Sequence, residues 1–233
     1  MKVSVAQLVQ FPGVWRGGEL EHVVHSAVPT GHARLDAQLP GGGWPQGTLT
    51  EVLHDAAGIG EVSFLAGALA RASEGGRLVA WVNPPHLPYA PALAQAGIPL
   101  DRCVVVNPAD REGALWAAEQ SLKSGACGVV MLWMEAQRQS RGEDYACLRR
   151  LQMAAEAGRA MAVLFRSTFA EKLSSPSHLR VVLARSDGVL NVRIPKRRGP
   201  PLNDWIPCSG SRSSSPHLPC RSSNAPVPVA SRS

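Results

Sequence analysis

The sequence predicts an α/β domain with a mainly parallel sheet that ends in a C-terminal antiparallel hairpin. Three observations predict it. Short β-rich runs alternate with helical stretches from about residue 28 to residue 205. One of these runs, Gly128–Met134, is apolar without interruption, as a strand covered on both faces must be. Finally, Asp187-Gly188 separates two apolar runs, a strong signal for a tight hairpin.

The elements follow in order. Thr48–His54 reads as a strand, and Glu61–Ser73 as a helix with Phe64, Leu65, Ala68 and Leu69 on one side. Arg77–Asn83 is a strand closed by Pro84-Pro85, and Tyr89–Ala96 a short helix that Gly97 can terminate. Cys103–Val106 is a further strand. Asp110 can cap a helix that runs to Ser124 with Gly125 just past its end. Leu115, Ala118 and Leu122 line its buried side, and Glu119 with Lys123 forms an i,i+4 pair on its outer side. After the strand Gly128–Met134 come a helix, Glu143–Ala157, and a buried strand, Met161–Phe165. The rhythm then changes: Leu179–Arg185 and Val189–Ile194 are joined by Ser186-Asp187-Gly188 as the hairpin. Strand and helix alternating at this spacing make βαβ units.

With 233 residues, 45% of them hydrophobic, the chain can bury one full core and carry tails. Residues 28–206 are expected to form that core domain, after an N-terminal extension over 1–27. A tail over 207–233 is rich in serine, proline and arginine and poor in aliphatic residues. It cannot bury enough to offset the entropy of ordering, so disorder is expected there. No apolar run approaches the roughly 20 residues that cross a bilayer, and Met1–Gln7 lacks the apolar core of a signal peptide. A cytoplasmic protein without membrane contact is the expectation. The net charge is +6, but the tail holds three arginines and no acid, which leaves the rest mildly basic. Its one dense cluster, Lys196-Arg197-Arg198, is no broad nucleic-acid footprint. The five cysteines form no C-x-x-C pair. Cys103 and Cys127 lie in apolar runs and are expected as buried reduced thiols; His22 and His25 have no fellow ligands, so no metal site is expected.

Two glycine-rich segments carry the functional signal. Pro29-Thr30-Gly31 and Leu35-Asp36 precede Gly41-Gly42-Gly43-Trp44-Pro45-Gln46-Gly47, which leads into the strand at Thr48. Further on come Gly97-Ile98-Pro99-Leu100-Asp101-Arg102, Asn107-Pro108-Ala109-Asp110 and Val192-Arg193-Ile194-Pro195-Lys196-Arg197-Arg198. Over about residues 28–202 this order resembles the RecA/Rad51 recombinase family, and the resemblance implies a RecA-like P-loop NTPase-type core. A phosphate loop reads G-x-x-x-x-G-K-[ST], its backbone N–H groups and lysine cradling phosphate and its hydroxyl holding Mg²⁺. Here the strand runs into His54-Asp55-Ala56-Ala57-Gly58-Ile59-Gly60-Glu61-Val62. Glu61 stands at the lysine position and Val62 at the hydroxyl position. By the same resemblance, the aspartate closing the fourth strand is missing from Gly128–Met134, and the catalytic glutamate falls near Pro84-Pro85. A degenerate phosphate loop, no ATPase activity, no cofactor and no catalytic residue are therefore expected. Gly58 and Gly60 then read as a tight strand-to-helix turn.

More narrowly, Val14-Trp15-Arg16-Gly17, Pro84-Pro85-His86-Leu87-Pro88-Tyr89, Leu115-Trp116-Ala117-Ala118-Glu119-Gln120, Leu148-Arg149-Arg150-Leu151-Gln152 and Lys196-Arg197-Arg198-Gly199-Pro200-Pro201 resemble the ImuA family of translesion DNA synthesis-associated proteins, relatives of SulA. That resemblance implies a role in SOS mutagenesis through an ImuB-type polymerase-like adaptor and RecA, with an error-prone C-family DNA polymerase and DNA reached indirectly. It places the protein in the cytoplasm, at the nucleoid when acting. The alternative is a SulA-like cell-division inhibitor that binds FtsZ. Lys196, Arg197 and Arg198 are the candidate partner-binding group, since by resemblance to RecA the late basic strand reaches the ATP of a neighbouring subunit. They also read as a solvated turn, and direct DNA contact is a lesser third reading. Trp15 and Arg16 are either a partner anchor or a staple on the chain's own core.

Overall fold

The computed structural model describes residues 26–56, 58–134 and 141–208. Its strands are β1 (Ala27–Val28), β2 (Trp44–Pro45), β3 (Leu49–Leu53), β4 (Leu78–Val82), β5 (Cys103–Val106), β6 (Cys127–Trp133), β7 (Met161–Arg166), β8 (Leu179–Ser186), β9 (Val189–Lys196) and β10 (Leu202–Cys208). The α-helices are α1 (Ala33–Asp36), α2 (Glu61–Ala72), α3 (Ala90–Gln95), α4 (Arg111–Lys123) and α5 (Arg141–Gly158). β1 and β2 form a small antiparallel ladder. The other eight strands form one sheet in the order β10-β9-β8-β3-β7-β6-β4-β5. Pairing is parallel from β8 through to β5 and antiparallel for β8–β9 and β9–β10.

Helices cover both faces. One face packs Phe64, Leu65 and Leu69 of α2, Leu93 of α3 and Leu35 of α1 onto Val52, Trp81, Met131 and Phe165. The other packs Ala114, Ala118 and Leu122 of α4 and Leu148 and Leu151 of α5 onto Val130, Leu132 and Leu164. This is the α/β architecture expected, and the continuous apolar runs of β6 and β7 are buried throughout. Gly128 shows how closely the layers meet: a Cβ there would lie 1.9 Å from the carbonyl oxygen of Ala72. The hairpin also forms as read, with Asp187 at φ 51° and Gly188 at φ 75°, the left-handed pair that a two-residue type I′ turn requires.

Four expectations are corrected. The hairpin is not the end of the sheet, because β10 adds a third antiparallel strand. That strand runs to Cys208, past the boundary placed at 206 and into the tail said to begin at 207. Ile206 and Cys208 are buried, and Pro207, which has no N–H to donate, is tolerated because β10 is an edge. Cys103 is half-buried because β5 is the opposite edge, whereas Cys127 is buried as read. Glu119 is buried on α4: besides the expected bond from Lys123 (2.6 Å) it accepts one from Arg150 of α5. Asp110 caps α4 as expected, accepting from Gly113 N at 2.7 Å. The expectation of a disordered tail bears, beyond Cys208, on residues outside those described, as does that of an N-terminal extension over 1–27 for residues 1–25; Ala27, within that extension, pairs with Pro45 in the small ladder.

Candidate functional site

The turn between β3 and α2 is built around its own side chains. Gly60 takes φ 101° at the start of α2, a left-handed conformation that favours glycine. Its N–H and that of Gly58 point toward the helix N-terminus, where backbone donors and the helix dipole attract an anion. The anion they meet is Glu61: its Oε2 accepts from Gly60 N at 3.1 Å, and its Oε1 from Gly58 N at 3.4 Å. Glu61 is buried. Arg185, from the end of β8, closes the turn from outside, donating through Nε to Ile59 O at 3.0 Å and through Nη1 to Gly188 O at 3.2 Å. Asp55 ties the turn to the segment after β7, accepting from Thr168 N (2.9 Å) and Thr168 Oγ1 (2.5 Å). Those two bonds hold its carboxyl below the usual range.

Beside this turn lies a crevice of about 580 Å³ at the C-terminal ends of β3, β4, β6 and β7, with His54, Asp55, Pro84, Pro85, Trp133 and Arg166 in its walls. Open parallel sheets bind ligands at this end. Here the floor is aromatic. β6 closes on Trp133, which stacks on Phe165 of β7 (centroids 4.4 Å apart, 12° between planes) and on Trp81 of β4 (5.9 Å, 9°). His54 meets Phe165 edge-on at 6.0 Å.

A buried ionic chain runs beneath the crevice, on the α4/α5 face of the sheet. Arg166 donates to Glu51 at 3.2 Å and to Asp144 at 2.7 Å; Asp144 also receives Arg111. Arg180 reaches Glu51 Oε1 at 3.0 Å through Nη2 and at 3.3 Å through Nε, and Ser177 Oγ donates to the same oxygen at 2.7 Å. The side chains of Glu51 and Arg166 are wholly inaccessible. Burial pushes the Glu51 carboxyl up, but Arg180, the hydroxyls of Ser175 and Ser177, and Arg166 together hold it below its ordinary value. Through Nη1 Arg180 continues to the carbonyls of Glu171 and Leu173. Glu171 takes both guanidinium ends of Arg193, which lies over Trp205.

The basic turn predicted to meet a partner stands elsewhere. Lys196 pairs with Arg180 at the start of β8, so the turn lies at the opposite end of the sheet from Arg185 and the β3–α2 turn. Lys196 Nζ donates to Ser175 O at 2.5 Å, and its pKa is lowered by burial and by Arg180. Arg197 donates through Nε to Pro200 O at 2.7 Å and through Nη1 to Gln38 O. Arg198 is exposed. Lys196 and Arg197 thus bind main-chain carbonyls of the chain itself. Trp15 and Arg16 lie outside the described residues. Sequence reasoning missed Glu51, Asp144, Arg166, Arg180 and Arg185. The available signal was a glutamate in the middle of an apolar strand and an arginine closing another.

Among the described residues no helix is long and apolar enough to cross a membrane, and no group of His, Cys, Asp and Glu is placed to hold a metal ion. A mainly parallel sheet whose central strand leads through a glycine turn into a helix, with an open crevice beside it, is the arrangement of open α/β proteins that take ligands at the C-terminal ends of their strands. The model of the RecA N-terminal domain matches residues 12–167, and the chain belongs to that family. It is 29% identical to protein RecA of Cutibacterium acnes and 30% identical to protein RecA of Thermus aquaticus, each over 119 residues. It is 34% identical to protein RecA of Salinispora arenicola over 122 residues. These matches cover about half of the chain and about a third of each relative, 51% and 34% for the Cutibacterium protein.

Proposed function

We propose that this chain is a non-catalytic RecA-like accessory protein of SOS-induced translesion DNA synthesis. It acts by docking on RecA and on an ImuB-type polymerase-like adaptor, through which an error-prone C-family polymerase is engaged. The observation that carries the non-catalytic reading is Glu61. Its carboxylate is bonded to the two glycine N–H groups of a turn that would otherwise face phosphate. A triphosphate would have to displace a tethered anion and then sit beside its charge. Trp133 at the end of β6 and Pro84-Pro85 at the end of β4 offer neither a carboxylate for magnesium nor one for activating water.

Docking without nucleotide has a mechanical outcome. A RecA-like subunit that joins a filament end but presents no ATP to the next subunit makes a heterologous contact that cannot repeat, so growth stops there. The partner assignments rest on the sequence resemblance, and the runner-up is FtsZ.

Calorimetric titration of the full chain with ATP and Mg²⁺ tests the central claim. No saturable heat is expected at millimolar nucleotide. A micromolar dissociation constant, about −8 kcal/mol of binding energy, would discard it. Binding of the purified chain to RecA and to the ImuB-type protein, compared with FtsZ side by side, tests the partners; capture of FtsZ alone would replace this reading by the division-inhibitor one.

A further inference from the structure

The crevice beside the β3–α2 turn joins apolar walls to two unpaired polar atoms. Pro84, Pro85, Trp133 and Phe165 make up much of its wall. Its volume of about 580 Å³ lies within the roughly 300–1,000 Å³ of pockets that take small organic molecules. Trp133 is 8% exposed, and its Nε1–H is buried without an acceptor among the described residues. His54 Nδ1 lies 3.0 Å from Ala56 O. A carbonyl only accepts, so Nδ1 carries the proton and Nε2 of the neutral ring is an acceptor. That Nε2 is also buried and unpartnered. Buried polar groups in folded proteins are nearly always bonded, so these two call for a molecule that both donates and accepts. Arg166 Nε is unpartnered as well, but its guanidinium is committed to Glu51 and Asp144 on the other face of the sheet.

Charge narrows the class of molecule. With the Arg166 side chain wholly inaccessible, Asp55 is the wall residue that presents a formal charge to solvent. Its carboxylate takes two bonds from Thr168 and keeps further lone pairs. Glu61 adds a second carboxylate in the adjoining turn. Arg185, outside that turn, donates to the carbonyls of Ile59 and Gly188. An anion entering the crevice therefore meets repulsion, whereas a neutral or cationic ring does not.

We infer that the crevice takes a small planar nitrogen heterocycle, neutral or cationic and free of phosphate, with a hydrogen-bond donor and an acceptor at its edge. The acceptor answers Trp133 Nε1–H, the donor answers His54 Nε2, and any positive charge is set beside Asp55. The apolar walls of Pro84, Pro85 and Phe165 bury the ring, and the few polar atoms fix its orientation. This inference rests on the nucleotide-free reading of the adjoining turn, because a triphosphate seated there would bring its own charge to the rim.

NMR titration of the full chain tests it, read at the His54 imidazole and the Trp133 indole N–H. The probes are 1-methylnicotinamide (a cation), nicotinamide (neutral) and nicotinate (an anion). The cation and the neutral amide should shift both signals saturably at millimolar concentration. Nicotinate should bind about tenfold more weakly than the cation in low salt. Trp133→Phe, which removes the N–H but keeps an aromatic ring, should weaken both amides about fivefold. Asp55→Asn should bring cation and anion to within about twofold of each other. If Trp133→Phe fails to fold, Asp55→Asn, a change at an exposed side chain, carries the test. Unmoved His54 and Trp133 signals, nicotinate held as tightly as the cation, or undiminished binding by folded Trp133→Phe overturns the proposal. A parallel titration with ATP and Mg²⁺ separates the two claims. Saturable ATP shifts at Gly58 and Gly60 would discard the nucleotide-free reading, whereas silence of ATP together with silence of the probes would discard this inference alone.

Discussion

Glu51 sits on the central strand with no access to solvent, and its charge is answered by two guanidinium groups and a hydroxyl. Taking charges out of water is costly, so such a cluster adds little net stability while complete but is expensive to break. Glu51→Ala leaves Arg166 and Arg180 without their shared counter-charge, and a loss of roughly 3–5 kcal/mol is expected in denaturant unfolding; a loss under about 1 kcal/mol would mean that water or another acid replaces it. The pH dependence has a definite sign. Because the carboxyl titrates lower in the folded chain, the folded state binds fewer protons in the window between the two values. The contribution is complete above the ordinary glutamate range and drains away as pH falls through the depressed folded value. A Glu51→Gln chain, where it folds, should therefore show a flatter acid limb in stability against pH. Glu61 works on the same scale to a different end, since its carboxylate answers two backbone donors and not a cation.

At the level of elements, β10 carries a prediction of its own. Ile206 and Cys208 join the larger core cluster, and the strand covers the side of β9 away from β8. A chain ended after Cys208 should melt within about 2 °C of the full protein, whereas one ended after Pro201 should lose on the order of 10 °C or fail to fold. Equal melting of the two would show that β10 adds nothing to the core. The same element marks where sequence reading stops. β6, β7 and the Asp187-Gly188 hairpin were legible because a continuous apolar run and a left-handed pair of turn residues each have few alternatives. β10 was not, because Asn203, Asp204 and Pro207 are the residues of loops; only its pairing to β9 makes Ile206 and Cys208 core. The candidate site divides in the same way. The placing of Glu61 at the lysine position of a phosphate loop came from the sequence resemblance, with Gly60 taken as the glycine before it. That Glu61 folds back on Gly58 and Gly60, and that Glu51, Arg166 and Asp144 meet, depends on strands and helices distant in sequence.

For the molecule as a whole, the β3–α2 turn and the basic turn lie at opposite ends of the sheet, and only Arg198 of the basic turn is exposed. The filament-stopping mechanism can be tested accordingly. Added at substoichiometric amounts to RecA on single-stranded DNA, the wild-type chain should shorten filaments. Arg198→Glu should weaken that effect about tenfold if the basic turn is the contact, since a charge-assisted bond and its reversal are at stake. Lys196→Ala and Arg197→Ala instead report on folding, because their donors satisfy Ser175, Pro200 and Gln38. Filaments shortened equally by wild type and Arg198→Glu would move the contact away from this turn.

The buried ionic chain also limits how this sequence can drift. Glu51, Arg166, Asp144 and Arg180 lie on β3, β7, α5 and β8, yet a change at any one of them takes a partner from a buried charge on another. Losses from single replacements should be far from additive, with the triple exchange of Glu51, Arg166 and Arg180 for apolar residues less damaging than the sum of its parts. Acceptable sequences with and without the cluster are then separated by unfit intermediates. Relatives of this chain should fall into two groups, which keep the set whole or lack it whole, with few between.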